Sequence, residues 1–201
     1  QQSELVNTNS LAFELQTKPA SVTDMLKKLQ IKNLLDYEKY KGFRLTNKGN
    51  KVAINIVRRH RLWEFFLVTK LGFEWDKVHA IAEELEHVSN QELIQKLDRF
   101  LNHPQTDPHG DPIPDGNGKM PVIHQLSMAD VVEKKKVIVS SVGNQSSAIL
   151  ELLNHYHINI GTEIKINQRF SFDGSIEIKV GKYAACIISE LVAKNIFVYH
   201  D

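Results

Sequence analysis

Cysteine is nearly absent. The single residue of this type, Cys186, sits in the apolar run Ala184-Ala185-Cys186-Ile187-Ile188. One thiol forms no internal disulfide, so a reducing cytoplasm is the expected compartment, and Cys186 reads as a small buried apolar residue. Long apolar runs are missing too. No stretch approaches the ~18 residues needed to cross a bilayer, which excludes a helical membrane protein. The opening QQSELVNTNS carries no basic-then-apolar segment, so secretion is not expected. Proline is scarce and concentrated: five of six fall within residues 103–121, beside Gly110, Gly116 and Gly118. That stretch reads as a loop and linker. Neither a His-Glu-x-x-His motif nor an evident Ser or Cys nucleophile is found, which weighs against a hydrolase. No internal repeat is visible.

What is present is an ordinary apolar fraction, 42% of 201 residues, enough for one to three compact units. The net charge of +1 hides an asymmetry: residues 1–61 carry +7 and residues 62–201 carry −6. A basic half facing nucleic acid and an acidic half facing cations would produce that division.

Hydrophobic spacing gives the order of elements. Asn9-Ser10 can cap a helix bearing Leu11, Ala12 and Leu15. A second helix follows Thr17-Lys18-Pro19, with Val22, Met25, Leu26 and Leu29 at helical spacing and proline near its start. Leu34 to Leu45 reads as a hairpin turning at Lys41-Gly42. Helix, turn, helix and basic hairpin describe a winged helix-turn-helix. Thr46 can cap a long helix to about Lys70, Asp76 can cap another, and Ser89 with Glu92 can form a capping box for a third. These helices carry enough apolar surface for a monomer core or a dimer interface. Beyond the prolines the period becomes two, at Val137–Val139, Ile164–Ile166, Ile176–Val180 and Ile196–Val198, with a helix at Ser147–His155. Short strands of this kind fit a small SH3-like β-barrel. The expected class is α+β, divided as winged helix 1–54, helical metal-binding and dimerisation domain 55–118, linker 119–129 and SH3-like domain 130–201.

The chemistry lies on two helices. His79, Glu83, Glu86 and His87 fall within an arc of about 100° on one helical face. His60 and Glu64, one helix earlier, are i,i+4 neighbours. Two facing helices so equipped can hold a divalent cation between imidazoles and carboxylates, a donor set suited to Mn, Fe, Co, Ni or Zn. The same residue types also make solvated faces and ion pairs, and a metal-dependent hydrolase or a metal-storage module would use the same ligands.

Several segments resemble the diphtheria-toxin-repressor family. Ser21–Leu29, Tyr37–Gly42 and Leu45–Gly49 look like its manganese transport regulators; Arg59–Leu62 with Glu64, Glu83–Val88 and Pro108–Pro114 look like the wider family. The resemblance runs over nearly the whole chain. It implies a primary metal site at Glu83, Glu86 and His87, completed by a first-helix ligand that would precede the residues given. It implies a second site at His60, Glu64 and His79, with His109 and Asp107 joining from the proline-rich loop. Iron-responsive members carry cysteine at the position of Glu83; a hard carboxylate there favours Mn(II), with Fe(II), Zn(II) and Co(II) still compatible. The resemblance further implies a homodimer on double-stranded operator DNA, controlling metal-uptake genes, with no membrane and no small organic substrate. Ala20, Ser21 and Asp24 would face base edges, while Lys18, Lys27, Lys28, Lys39 and Lys41 would lie near phosphates.

Overall fold

The computed structural model describes residues 5–38 and 41–199, in two compact units, Gln1–Val57 and Arg58–Asp201. Lys39, expected to contact phosphate, lies outside the described residues.

In the first unit, helix α1 (Thr8–Glu14) begins earlier than Asn9-Ser10 suggested. The cap is Asn7, whose side chain accepts the Asn9 amide at 2.7 Å. Helix α2 (Pro19–Ile31) starts with proline in its first turn, where the missing N–H has no helical partner to lose. Ala12, Val22, Leu26 and Leu35 form the core, but Met25 faces outward and is 57% exposed. Strands β1 (Leu35–Glu38) and β2 (Gly42–Leu45) pair antiparallel, Leu35 opposite Leu45. Val6 adds an isolated bridge to Phe43. Helix, helix and hairpin make the expected winged helix-turn-helix.

Helix α3 (Asn47–Leu71) then carries the chain across the boundary between the units. Thr46 caps it as expected, accepting the Gly49 amide at 3.0 Å while its hydroxyl donates to the Asn33 carbonyl at 2.8 Å. A Cβ on Gly49 would stand 1.8 Å from the Leu34 oxygen, so only glycine fits there.

In the second unit α3 continues into α4 (His79–Val88) and α5 (Gln91–Phe100). Two expected caps are corrected. Helix α4 follows Val78 with no side-chain cap, and one carboxylate oxygen of Asp76 is buried without a partner. Asn90, not Ser89, caps α5 by accepting the Leu93 amide. Ser89 instead donates to the Leu85 carbonyl and accepts the Trp63 indole N–H. Leu62, Ile94, Leu97, Leu101 and Ile113 form one core, and Leu67, Val78 and Ala82 a second.

The proline-rich stretch is more ordered than a linker. Residues 105–113 form a tight loop closed by a Thr106–Pro112 bridge, and Ile113, Asp107 and His109 within it are buried. Gly110 has φ +86°, and a Cβ there would lie 1.9 Å from the Ser140 carbonyl, so the loop rests directly on the C-terminal sheet.

That sheet comprises β3 (Leu126–Ser127), β4 (Lys136–Val142), β5 (Glu163–Arg169), β6 (Ile176–Val180), β7 (Cys186–Ile188) and β8 (Ile196–Tyr199). All pairs are antiparallel, in the order β3-β8-β4-β5-β6-β7. Bulges interrupt β4 and β5, bending the sheet around its core as the expected small barrel requires. The core holds Met128, Val137, Val139, Ile164, Ile166, Ile176, Ile178 and Val198, with Leu150 and Leu153 from α6 (Ser147–His155). Leu126 to Met128, inside the stretch read as a linker, belong to this sheet and its core. Cys186 is only half-buried. A further helix, α7 (Glu190–Asn195), is capped by Ser189.

Candidate metal centre and nucleic-acid surface

Helix α3 places His60 and Glu64 one turn apart, on the side opposite the apolar Leu62. The Glu64 side chain is 1% exposed. An isolated carboxylate so placed would cost several kcal/mol, so its surroundings must supply positive charge. Three imidazoles approach it. Glu64 Oε1 is 2.9 Å from His60 Nε2 and 3.3 Å from His79 Nδ1; Glu64 Oε2 is 3.7 Å from His109 Nδ1. His79 opens α4, and His109 comes from the loop.

The tautomers are constrained. Nε2 of His109 donates to the Trp75 carbonyl at 2.9 Å, and the two rings stack at 5.8 Å. A carbonyl only accepts, so neutral His109 turns the lone pair of Nδ1 toward Glu64. That Nδ1 is buried with no hydrogen-bond partner. Likewise Nδ1 of His60 donates to Glu86 Oε2 at 3.0 Å, which turns Nε2 toward Glu64 Oε1 and His79. Lone pairs and carboxylates therefore converge, and they require a proton or a metal ion between them.

Titration follows from this geometry. Burial opposes the charged form of His60 and His109, but Glu64, together with Glu86 at His60 and with Asp107 and the Trp75 carbonyl at His109, outweighs it and raises both above their usual value. Burial also opposes ionisation of Glu64, yet His109 and His60 hold its carboxyl down to about 2. Asp107 behaves differently. Burial pushes its carboxyl up to about 6, against the partial relief of His109. Its Oδ1 accepts the amides of His109 and Asp111 at 2.8 and 3.0 Å, whereas Oδ2 is buried with no hydrogen bond.

Two donor groups with metal-binding spacing result among the described residues: His60, Glu64 and His79; and Glu64, Asp107 and His109. Both are mixed nitrogen and oxygen sets without a thiolate, which fits a divalent first-row cation. The orphaned Asp107 Oδ2 and His109 Nδ1 are what such an ion would satisfy. Glu86 joins only through His60. Glu83 and His87 are exposed on α4, and Nε2 of His87 is 3.9 Å from Glu86 Oε1. The structure thus gathers His60, Glu64, His79, Asp107 and His109, and does not gather Glu83 and His87 with them.

Residues to which the sequence reading gave no role hold the loop in place. Arg61 donates to Asp111 Oδ2 at 2.7 Å and to the Pro112 carbonyl at 2.6 Å, and its Nε lies 3.6 Å from Asp107 Oδ2. Arg58, one turn earlier, donates to the Pro114 carbonyl and pairs with Asp98 at 2.9 Å. His103 reaches the same Asp98 at 2.7 Å. The Val142 amide at the end of β4 donates to the His109 carbonyl, and Gln145 in the loop that follows donates to Asp111. No local pattern announces these contacts, since the arginines meet acidic partners about 40–50 residues away.

On the first unit, Ala20, Ser21 and Asp24 are exposed along α2, with Lys27 and Lys28 beside them and Lys18 at its start. Lys27 approaches Asp24 at 3.8 Å, and Lys41 pairs with Glu38 at 2.9 Å.

Comparison with known proteins accounts for all three modules. Residues 1–43 match the iron-dependent repressor N-terminal DNA-binding domain, 46–115 the metal-binding and dimerisation domain of the same family, and 126–200 the FeoA domain. The chain belongs to the iron-dependent repressor family. It is similar to a manganese-dependent transcriptional repressor solved in complex with manganese: 30% identity, a TM-score of 0.87, 98% of this chain and 92% of that one. It is 36% identical to the iron-dependent repressor IdeR of Mycobacterium leprae over 104 residues, 52% of this chain and 45% of IdeR. The regulator MntR of Oceanobacillus iheyensis is 37% identical over 95 residues, 47% of this chain and 64% of MntR. The chain therefore spans under half the length of the mycobacterial relative. The matched domains are those of repressors, not enzymes. Among the described residues no helix is long and apolar enough to cross a membrane.

Proposed function

We propose that this protein is a metal-dependent, DNA-binding transcriptional repressor of the cytoplasm that answers to Mn(II) and controls genes for metal uptake. The observation that carries the proposal is the buried set of Glu64, Asp107 and His109, whose unpartnered lone pairs call for a cation. Manganese is favoured by the hard donors and by the likeness to a manganese-dependent repressor. Glu83, Glu86 and His87 are proposed as ligands of a further site, with Glu83 setting metal choice.

The protein's own residues do the following. Glu64 offers one oxygen to each side. The Glu86 carboxylate and the Trp75 carbonyl fix the imidazoles of His60 and His109, so that each presents a lone pair inward. Arg61 holds the loop that carries Asp107. A bound cation would neutralise the carboxylates and tie α3, α4 and the loop together. A ligand that binds one arrangement more tightly shifts the population toward it. The exposed α2 residues Ala20, Ser21 and Asp24 would then read base edges, with the lysines on phosphates.

A homodimer is part of this proposal. Val88, Leu93 and Phe100 of α4 and α5 are exposed at 79%, 43% and 62%, an apolar surface consistent with an interface.

The test is fluorescence anisotropy of the full-length protein on labelled duplex DNA from upstream of metal-transport genes. Mn(II) is expected to raise affinity at least tenfold over chelator-treated protein. Equal affinity with and without every divalent ion would refute the reading.

A further inference from the structure

We infer that the outer face of the C-terminal sheet is a further DNA-contacting surface, on which Lys165 and Lys179, with Lys136 beside them, hold phosphates of a duplex without reading its sequence. The inference uses none of the residues assigned to the metal centre, to α2 or to the hairpin. It rests only on the DNA-binding character of the family.

Register puts the three lysines in one line. Lys136 of β4 stands opposite Lys165 of β5, and Lys165 stands opposite Lys179 of β6. All three are exposed and point away from the core, because Val137, Ile164, Ile166, Ile178 and Val180 beside them are buried and successive side chains alternate faces. Neighbouring strands lie about 4.8 Å apart, so the row spans about 10 Å. Lys134 and Lys135, both exposed, run alongside β5 just before β4 begins. The Lys134 amide donates to the Ile166 carbonyl at 2.8 Å, and the Ile166 amide to the Lys135 carbonyl at 3.0 Å.

Folding alone gives no reason for the row, since like charges directly opposite across a sheet are destabilising. The neighbouring carboxylates do not relieve it. Glu163 pairs with Lys136 at 2.9 Å, Glu177 accepts the Asn167 side-chain amide at 2.8 Å, and Glu133 accepts the Arg169 backbone amide at 2.8 Å. Among the described residues Lys165 and Lys179 form no ion pair. The row is thus a local excess of positive charge within residues 62–201, which together carry −6. An anionic partner would remove the repulsion. Duplex DNA suits it, with one charge per about 1.7 Å of axis, so that a row of about 10 Å meets several phosphates. Lysine holds phosphate as a point charge on a flexible stem, which adds affinity and not sequence choice.

The experiment follows anisotropy of full-length protein with Mn(II) on two labelled duplexes, one of random sequence and one from upstream of metal-transport genes, over a series of salt concentrations. Lys165→Gln with Lys179→Gln should lower affinity at least about tenfold at about 50 mM salt on both duplexes, and should reduce the salt slope by about two units. Lys165→Arg with Lys179→Arg should keep the parent values. Lys77→Gln with Lys194→Gln removes equal charge from lysines paired with Glu74 and Glu190 in the same unit, and should leave the slope unchanged. Thermal denaturation should find the Lys165/Lys179 glutamine variant at least as stable as the parent, since it relieves repulsion. An unchanged slope in that variant, as expected if the row receives an acidic protein segment, overturns the inference. So does an equal fall in the Lys77/Lys194 variant, which would mark an effect of net charge. Both outcomes leave the repressor reading standing, whereas a parent that binds neither duplex overturns both.

Discussion

Replacing Asp107 by asparagine should stabilise the metal-free protein and weaken its response to metal. The Asp107 carboxylate is 1% exposed, and one of its oxygens has no hydrogen bond. Burial raises its pKa from 3.8 to about 6. A raised folded-state pKa means that the carboxyl favours folding while protonated. That advantage is present below the unfolded value and is lost as pH rises through about 6. The shift of roughly two units corresponds to about 3 kcal/mol of destabilisation at neutral pH. In Asp107→Asn the amide oxygen would keep the acceptor role of Oδ1 for the His109 and Asp111 amides, so the turn survives. The buried NH2 of the new side chain would lack an acceptor and take back about 1 kcal/mol, leaving a net gain of about 2 kcal/mol. Urea denaturation of chelator-treated protein at pH 7.5 measures this, and the gain should fade toward pH 4. Excess Mn(II) should stabilise the parent by more than the variant, because a neutral amide is a poorer ligand. A metal-free variant that is no more stable than the parent at pH 7.5 would refute the reasoning.

Stability of the metal-free protein should fall as pH rises above the ordinary imidazole value of 6.5, since the raised pKa values of His60 and His109 favour folding only while those groups hold their protons; the Mn(II)-induced rise in melting temperature should grow in the same direction. A flat profile would mean that the imidazoles stay neutral. Arg58→Met breaks a buried pair with Asp98 and should cost about 3 kcal/mol in denaturant titrations, a loss that Asp98→Asn in the same chain partly restores. Lys27→Ala should lower affinity for operator and random DNA alike and reduce the salt slope by about one unit, whereas a change confined to one base pair would contradict a phosphate role. Glu83→Cys should move the ranking of ions that activate DNA binding toward Fe(II), Co(II) or Zn(II), read at saturating metal; an unchanged ranking would remove Glu83 as the selector.

Local regularities were legible and long-range ones were not. Alternating residues such as Ile176-Glu177-Ile178-Lys179-Val180 mark a strand because side chains alternate faces, and that strand appears with those bounds. The α6 boundaries, Ser147–His155, were equally legible. Caps were less so, because Asn7, Asn90 and Ser89 all suit the role and only the tertiary path decides among them. Helix α7 escaped notice because six residues give too little periodicity to register. The i,i+4 pair His60 and Glu64 was visible because it is local. The burial of Asp107 and His109 was not, since it depends on Gly110 letting the loop approach β4 and on Arg58 and Arg61 reaching across from α3.

Those same long-range contacts explain why a costly cluster persists. Left alone, three carboxylates and three imidazoles would relax into solvent, as His87 does. The two loop ligands are held by groups that are not themselves donors to the centre. The Trp75 carbonyl holds His109, and Arg61 holds the Asp107 loop. The Val142 amide fixes the backbone at His109. The anchors keep the ligands in place before any ion arrives, so binding spends little on ordering the site. The buried Asp107 Oδ2 without a hydrogen bond is the corollary of that preorganisation. A loosely held loop would relieve this and also reduce the free-energy difference that a cation makes. On this argument, weakening an anchor should lower metal affinity while leaving the ligands chemically intact. Arg61→Lys tests it: the charge remains, but the forked grip on Asp111 and the Pro112 carbonyl is lost. Calorimetric titration should then show weaker Mn(II) binding with unchanged stoichiometry, and unaltered affinity would mean that the loop is held adequately by Gly110 and β4 alone.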